Sequence, residues 1–487
     1  MKKTLLVCAL VLATTLPAAA QLDTLWTATY GGSSNDGARS FLSTSDGGFL
    51  VIGYTYSYGA GGVDAYLVKT DASGNEAWAR TYGGSGRDFG FDLCESGDGG
   101  YVLTGFTTSL GAGKKDVYVV RIDASGDTLW TRTYGGVEDD AGAAVCRTST
   151  GHYVVTGRTQ SFGAGLADVY LLKLDANGDT LWTRTAGGDQ PDWGSDLCET
   201  ADGCYLVAGS YGSHSSNSDG YLLKMDARGN VVWEQYYGND SNADWGIGVY
   251  ATPDSGAALV GYRDVHLQDP AESYIIRVDA DGERIWGIKF TEFFYQYARS
   301  VCPTPDGGFL VCGVTKDPAT QENDLELVRV TNDGRREWTQ ALGGEITDWG
   351  NAIVALPPDR YVVAGHTESY GAGGFDAWLL ELRDPAIGTP ELGSTSPGPF
   401  LSPLRPNPVR DVVAFSVQVP HQGSLEVTVV NAVGEKVRTL HRGVVGPGRH
   451  DFAWDARNEA AQRVAGGVYF VVADGVVKGM RRLVLIH

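Results

Sequence analysis

After residue 20 the sequence has no apolar run of the roughly 18 residues that a membrane-spanning helix needs, so no transmembrane segment is expected. It has no GxSxG, HExxH or P-loop pattern, which removes the common sequence marks of a serine nucleophile, a zinc hydrolase and a phosphate cradle. Its eight histidines, among them His152, His214, His266 and His366, are scattered. No Cys/His spacing resembles a zinc site, and neither metal nor cofactor is expected. Basic residues are few: 38 Lys and Arg against 59 Asp and Glu give a net charge of −21. The deficit is uneven, about −25 over residues 21–383 and about +4 over residues 403–487. An acidic body repels phosphate backbones, so nucleic acid is not an expected partner, and the acidity reads as a solubility device.

The first residues read "MKKTLLVCALVLATTLPAAAQ". A basic start, an apolar stretch from Leu5 to Leu12 and the small residues Ala18-Ala19-Ala20 make residues 1–20 a secretory signal peptide. Six cysteines follow it. Cys94, Cys146, Cys198 and Cys302 stand at one place in four copies of a repeat, and equivalent positions in neighbouring copies lie beyond the ~7 Å Cα limit for a bridge. They read as small core residues. Cys198 with Cys204, or Cys302 with Cys312, could close a hairpin in an oxidising compartment, and the sequence leaves both states open.

The repeat is announced by tryptophan. Trp26, Trp78, Trp130, Trp182, Trp233, Trp286 and Trp338 are spaced by 52, 52, 52, 51, 53 and 52 residues. "DASGDTLWTRTYGG" from Asp123 returns as "DANGDTLWTRTAGG" from Asp175. Each copy holds four short runs rich in β-branched and aromatic residues, which we label A, B, C and D. In the fourth copy they begin at Gly194, Cys204, Gly220 and Asn230. "DGG" joins A to B and "DASGN" or "DANGD" joins C to D. Asp and Asn bond their own backbone and Gly accepts positive φ, so both read as tight hairpins. The second also faintly suggests a calcium loop, but it lacks the oxygens that ion requires.

Four antiparallel strands repeated seven times describe the blades of a β-propeller. The array begins on a D strand, "TLWTATYGG" from Thr24, and ends on a C strand, "DAWLLELR" from Asp376. The N-terminal strand is therefore expected to complete the last blade and close the ring, which leaves no open strand edge. The seven tryptophans are expected to pack between blades. Burying one such ring is worth roughly 2–3 kcal/mol, and Trp182→Ala would remove roughly 3–5 kcal/mol.

The pattern "W-x-R-x-Y-G-G … D-G-G-Y-x-V-x-G-x-T … D-x-Y-L-x-K-x-D-x-x-G" resembles the bacterial β-propeller repeats of the SBBP type over residues 22–383. The "DANGDTLW" hairpin is also similar to the tryptophan-docking repeats of quinoprotein propellers, whose calcium site and vicinal disulfide have no counterpart here.

The propeller is assigned to residues 21–384, and the Pro-, Gly-, Ser- and Thr-rich residues 385–402 to a linker. Residues 403–487 alternate apolar and polar over roughly seven short strands, which suggests a small Ig-like β-sandwich. Pro406-Asn407-Pro408, the Val433-Gly434 turn, Trp454-Asp455 and Gly467-Val468-Tyr469-Phe470 resemble the C-terminal sorting domain of type IX secretion cargo, related to the FlgD Ig-like fold. The resemblance implies that the type IX secretion machinery is a partner of residues 403–487. It also implies passage across the outer membrane, removal of the tail and attachment at the cell surface.

In a propeller the D–A and B–C connections share one face. Here the first ends in Asp and an aromatic (Asp192-Trp193, Asp244-Trp245, Asp348-Trp349, with Gln296-Tyr297 as a variant), and the second reads "S-x-G-A-G-x-x-D". Acids interleaved with rings suit sugars, so Asp192, Trp193, Asp244, Trp245, Tyr297, Asp348 and Trp349 are the candidate ligand contacts. The competing reading makes the recurring carboxylates loop fasteners that bond backbone N–H groups, and the rings inter-blade packing. Copies five and six depart furthest from consensus, at Tyr262 to Tyr274, Lys289 to Ser300 and Val314 to Glu326, where a specific site or simple drift would show. No catalytic residue can be singled out. The expectation is a secreted, monomeric, non-catalytic binding or scaffold module for a glycan or protein partner. A secreted polysaccharide hydrolase or lyase with funnel carboxylates as acid and base is the alternative.

Overall fold

The computed structural model describes residues 22–212, 218–238, 243–264, 271–290, 294–316 and 322–385, and in the C-terminal part 400–401, 412–419, 422–431, 435–446, 448–460, 462–476 and 479–485. The signal segment, nearly all of the linker, Pro406-Asn407-Pro408 and Val433-Gly434 lie outside them. The chain divides into two compact units, Met1–Thr389 and Pro390–His487.

The first unit is all-β: seven four-stranded antiparallel sheets, each a β-propeller-like blade in the order A-B-C-D. Six use consecutive strands. In the seventh, Asp348–Leu356, Arg360–Thr367 and Asp376–Arg383 supply A, B and C, and Asp23–Tyr30 supplies D. That N-terminal strand pairs antiparallel with Asp376–Arg383, from Asp23 opposite Arg383 to Tyr30 opposite Ala377. The B and C strands are buried along their length, as in Asp64–Thr70 and Phe49–Thr55, because sheets cover both of their faces. D strands are exposed at their outer edge, as in Thr180–Ala186. Core clusters form between neighbouring sheets. One joins Phe49, Val51 and Tyr66 of the first sheet to Val362, Ala364 and Leu379 of the seventh.

The seven tryptophans sit on D strands at this outer edge, half-buried. The indole of one sheet rests on the C–D hairpin glycine of the next: Trp26 on Gly74, Trp78 on Gly126, Trp130 on Gly178, Trp182 on Gly229, Trp233 on Gly282 and Trp286 on Gly334. Trp130, Trp233 and Trp286 donate Nε1–H to hairpin carbonyls at 3.3, 3.0 and 3.0 Å. Trp338 packs beside Leu22 and Leu382. Each ring spans two sheets but keeps one face in water, so the cost of its removal falls below that of a fully buried ring.

All seven A strands carry a β-bulge at one place, between Ala38/Ser40, Gly90/Asp92, Gly142/Ala144, Gly194/Asp196, Gly246/Gly248, Ala298/Ser300 and Gly350/Ala352. Opposite each bulge the B strand has glycine. A Cβ on Gly365 would lie 1.7 Å from the carbonyl oxygen of Trp349, so only glycine fits.

Among its described residues the second unit has seven strands, in a three-stranded and a four-stranded sheet. Val413, Phe415 and Trp454 of one sheet share a core with Val427, Val471 and Leu483 of the other. The Trp454 ring lies 5.2 Å from that of Tyr469. Among the described residues no helix is long and apolar enough to cross a membrane. The six described cysteines are free thiols, Cys198, Cys204, Cys302 and Cys312 included.

Candidate functional site

A β-bulge places one extra residue on a strand and turns its side chain away from the regular alternation. The seven extra residues here are Arg39, Phe91, Ala143, Ser195, Ile247, Arg299 and Asn351. All seven line a single cavity of about 500 Å³. The volume is in the range of small-molecule sites.

The next residue along four of these strands fastens neighbouring sheets, and the other three strands have Ala144, Gly248 and Ala352 there. Ser40 Oγ donates to Asp92 Oδ1 at 2.7 Å, and Asp92 Oδ2 accepts from Val145 N at 2.9 Å. Asp196 Oδ2 accepts from Val249 N at 2.8 Å, and Ser300 Oγ from Ile353 N at 3.3 Å. Burial pushes the Asp92 carboxyl up to about 6 against these bonds, and that of Asp196 up to about 7.

The lining is charged unevenly. Arg39 and Arg299 belong to the first and sixth sheets, and Asn351 to the seventh between them. Arg39 Cζ lies 5.5 Å from the Tyr54 ring centre and Arg299 Cζ 5.1 Å from that of Trp349. The Nε of each is buried without a hydrogen-bond partner. Neither guanidinium forms an ion pair among the described residues. Burial, then the charge of Arg39, lowers Arg299 to about 10. Burial and both arginines push His366 down to about 3. Asn351 Nδ2 donates to Ala38 O at 2.8 Å, and its Oδ1 is buried and unsatisfied. Asp92 and Asp196 line the same cavity from the second and fourth sheets.

The predicted rim residues divide into two groups. Asp192, Asp244 and Asp348 are buried, with their carboxylates engaged by the loops around them. Asp192 accepts from Gly188 N and Gly212 N, both at 2.7 Å. Asp348 accepts from Gly344 N and Ser369 Oγ, both at 2.7 Å. Asp244 instead faces Arg263, whose Nε is at 2.7 Å. Asp36, Asp88 and Asp140 bind loop N–H groups at the same place. The aromatic residues are half-exposed. Trp193 lines the cavity, with Arg158 stacked 4.8 Å from its ring centre. Ring contacts run on from Trp193 to Trp245 at 5.7 Å, Trp245 to Tyr262 at 6.0 Å and Tyr262 to Tyr297 at 4.6 Å. Trp349 sits apart from this arc, against His366 at 5.0 Å.

Sequence reasoning missed Arg39, Arg299, Asn351, Asp92 and Asp196. A signal for them existed. Three residues past the recurring acid, the copies read Arg, Phe, Ala, Ser, Ile, Arg and Asn, a variable column inside a conservative repeat.

The model of the FlgD Ig-like domain matches residues 410–478. The regulatory protein FlaEY of Caulobacter vibrioides is 28% identical over 196 residues, 35% of this chain and 20% of that protein. The chain thus spans about a fifth of the length of that curated relative. Among solved structures, PorZ is described as an essential bacterial surface component of the type IX secretion system of Porphyromonas gingivalis. It aligns with a TM-score of 0.43 at 12% identity, over 94% of this chain and 60% of that one. A protein of unknown function from Dyadobacter fermentans aligns with a TM-score of 0.43 at 14% identity, over 74% of this chain and 99% of that one.

Proposed function

We propose that residues 21–384 form a closed seven-bladed propeller, exported by the signal segment and held at the cell surface through residues 403–487, where it acts as a non-catalytic binding module. The observation that carries this reading is the convergence of seven bulge residues, one per sheet, on one cavity. The pairing of Asp23–Tyr30 with Asp376–Arg383 and the core shared by the first and seventh sheets support the closure. The match at residues 410–478 and the sorting-domain motifs support the surface assignment. Trp193, Trp245, Tyr297 and Trp349 offer ring faces to a ligand, and Asp192, Asp244 and Asp348 hold the loops that present them.

The test is a glycan array probed with the full chain and with Trp193→Ala. Binding to a defined glycan class that the variant loses is expected. An empty array would leave a structural or protein-binding role and overturn the glycan reading.

A second reading rests on Asp92 and Asp196, whose raised carboxyls in one cavity suit an acid and a base of a polysaccharide hydrolase or lyase. Their bonds to backbone N–H groups of neighbouring sheets favour the fastening role. Reducing-sugar release that Asp196→Asn abolishes would reverse that preference.

A further inference from the structure

We propose that the cavity seats the carboxylate of an acidic sugar, a uronic-acid residue, between Arg39 and Arg299. This rests on the binding-module reading above and names the ligand of its cavity.

The argument starts from what the two arginines lack. A guanidinium presents five donors in a planar fork and is found paired with carboxylate or phosphate when taken out of bulk water. Elsewhere in the first unit most interior bases have acid partners, and Lys173, which has none among the described residues, is held instead by the Tyr205 hydroxyl at 2.9 Å and the Ala227 carbonyl at 3.0 Å. Lys69 meets Asp46 at 2.8 Å, Lys224 meets Asp202 at 2.8 Å, Arg277 meets Asp254 at 2.6 Å and Arg329 meets Asp306 at 2.6 Å. Arg39 and Arg299 do not, although each is turned into the cavity by a bulge and each repels the other. Two like charges held unpaired at one arc destabilise the empty protein, and an anion between them removes that penalty.

The charge count selects the kind of anion. Arg39, Arg158 and Arg299 against Asp92 and Asp196 leave one net positive charge on the lining when both acids are ionised. With Asp92 raised to about 6 and Asp196 to about 7, that state holds above about pH 7, and there it matches a monoanionic carboxylate better than a dianionic phosphate. The rest of the lining suits a sugar. Asp92 and Asp196 accept from hydroxyls, Ser40 and Ser300 bring further hydroxyls, and the rings of Phe91 and Trp193 offer apolar faces.

The experiment is calorimetric titration of the full chain at low salt with trigalacturonate, with the neutral galactose trisaccharide and with inorganic phosphate. The variants are Arg39→Gln, Arg299→Gln and the charge-conserving Arg299→Lys, each checked for a native melt. Trigalacturonate is expected to bind at least about tenfold more tightly than either other probe. Each Arg→Gln change is expected to weaken it by about tenfold or more without altering the neutral sugar, with Arg299→Lys intermediate. Equal binding of acidic and neutral sugars, unaffected by the variants, would overturn the anion seat and leave the binding-module reading standing. Phosphate binding as tight as trigalacturonate, and equally lost in the variants, would overturn the sugar assignment. No heat from any probe would overturn the proposal outright, and the glycan array then decides the broader reading by itself.

Discussion

At the outer edge of the sheets the seven copies repeat one another almost residue for residue. In six of the seven sheets a tryptophan leaves the D strand, crosses to the next sheet and lies on a hairpin glycine. Four residues further on, Tyr30, Tyr82, Tyr134 and Tyr237 donate their hydroxyls to that glycine's carbonyl at 2.6, 2.7, 2.5 and 2.7 Å. At the inner edge the backbone repeats just as strictly, with a bulge in every A strand, yet the side chain at the bulge is different in almost every copy. The outer contact recurs because it joins sheet to sheet, and six of the joints share one geometry. The inner position faces a cavity, where seven side chains of six kinds can share one ligand and none needs to match its neighbour. A fixed backbone with a free side chain is what a scaffold requires if it is to carry a site.

The largest way to break that contrast is to damage the backbone device that the inner edge depends on. Gly365→Ala drives a Cβ into the Trp349 carbonyl and should lower stability by more than about 3 kcal/mol, read from denaturant midpoints. An unchanged midpoint would mean that the bulge relaxes freely and does not constrain the channel.

A smaller loss is expected at the outer edge. Trp286→Ala removes a half-buried ring, its bond to Asn332 O and its edge contact with Phe309, whose ring centre is 6.0 Å away. About 2 kcal/mol is expected, below the range for fully buried tryptophan. A loss of the same size at Trp130 and Trp233 would show that the joints are energetically equivalent.

The effect at the inner edge should vanish at low pH, because it depends on the ionisation of one carboxyl. The Asp196 carboxyl is raised to about 7 in the folded chain, from 3.8 as its ordinary value. The folded state therefore binds its proton more tightly than the unfolded state. The stabilisation this gives is complete below about pH 4 and is lost as pH rises through about 7. Asp196→Asn should flatten that slope, melting above the parent at pH 8 and close to it at pH 4, since Oδ1 of Asn still accepts from Val249 N. Thermal melts across that window would read it. A parent whose stability does not fall over the window would place the Asp196 carboxylate in water.

The outer edge was legible in the sequence, and the inner edge was not. Trp26 to Trp338 declare themselves by spacing, and the strand that pairs with Asp376–Arg383 could be assigned from which run stands first and which last. The bulge could not be read, because one inserted residue per strand is invisible to an alternation pattern that is short in any case. Without the bulge, Arg39 and Arg299 look like ordinary surface charges on strands. The recurring acids Asp192, Asp244 and Asp348 drew notice because they repeat. In the structure their carboxylates are turned to backbone N–H groups and, for Asp244, to Arg263. Segments 265–270, 291–293 and 317–321 of the divergent copies five and six lie outside the described residues.

The register that sets Asp23 opposite Arg383 has a temporal meaning. A polypeptide delivered N-terminus first presents its opening strand long before the mate for that strand exists. Until residue 383 arrives, the opening strand must wait, and joining two ends so distant along the chain is slow because of the entropy of closing the loop. Trimming a handful of residues near Thr24 should therefore leave the seventh sheet one strand short while the other six keep all four.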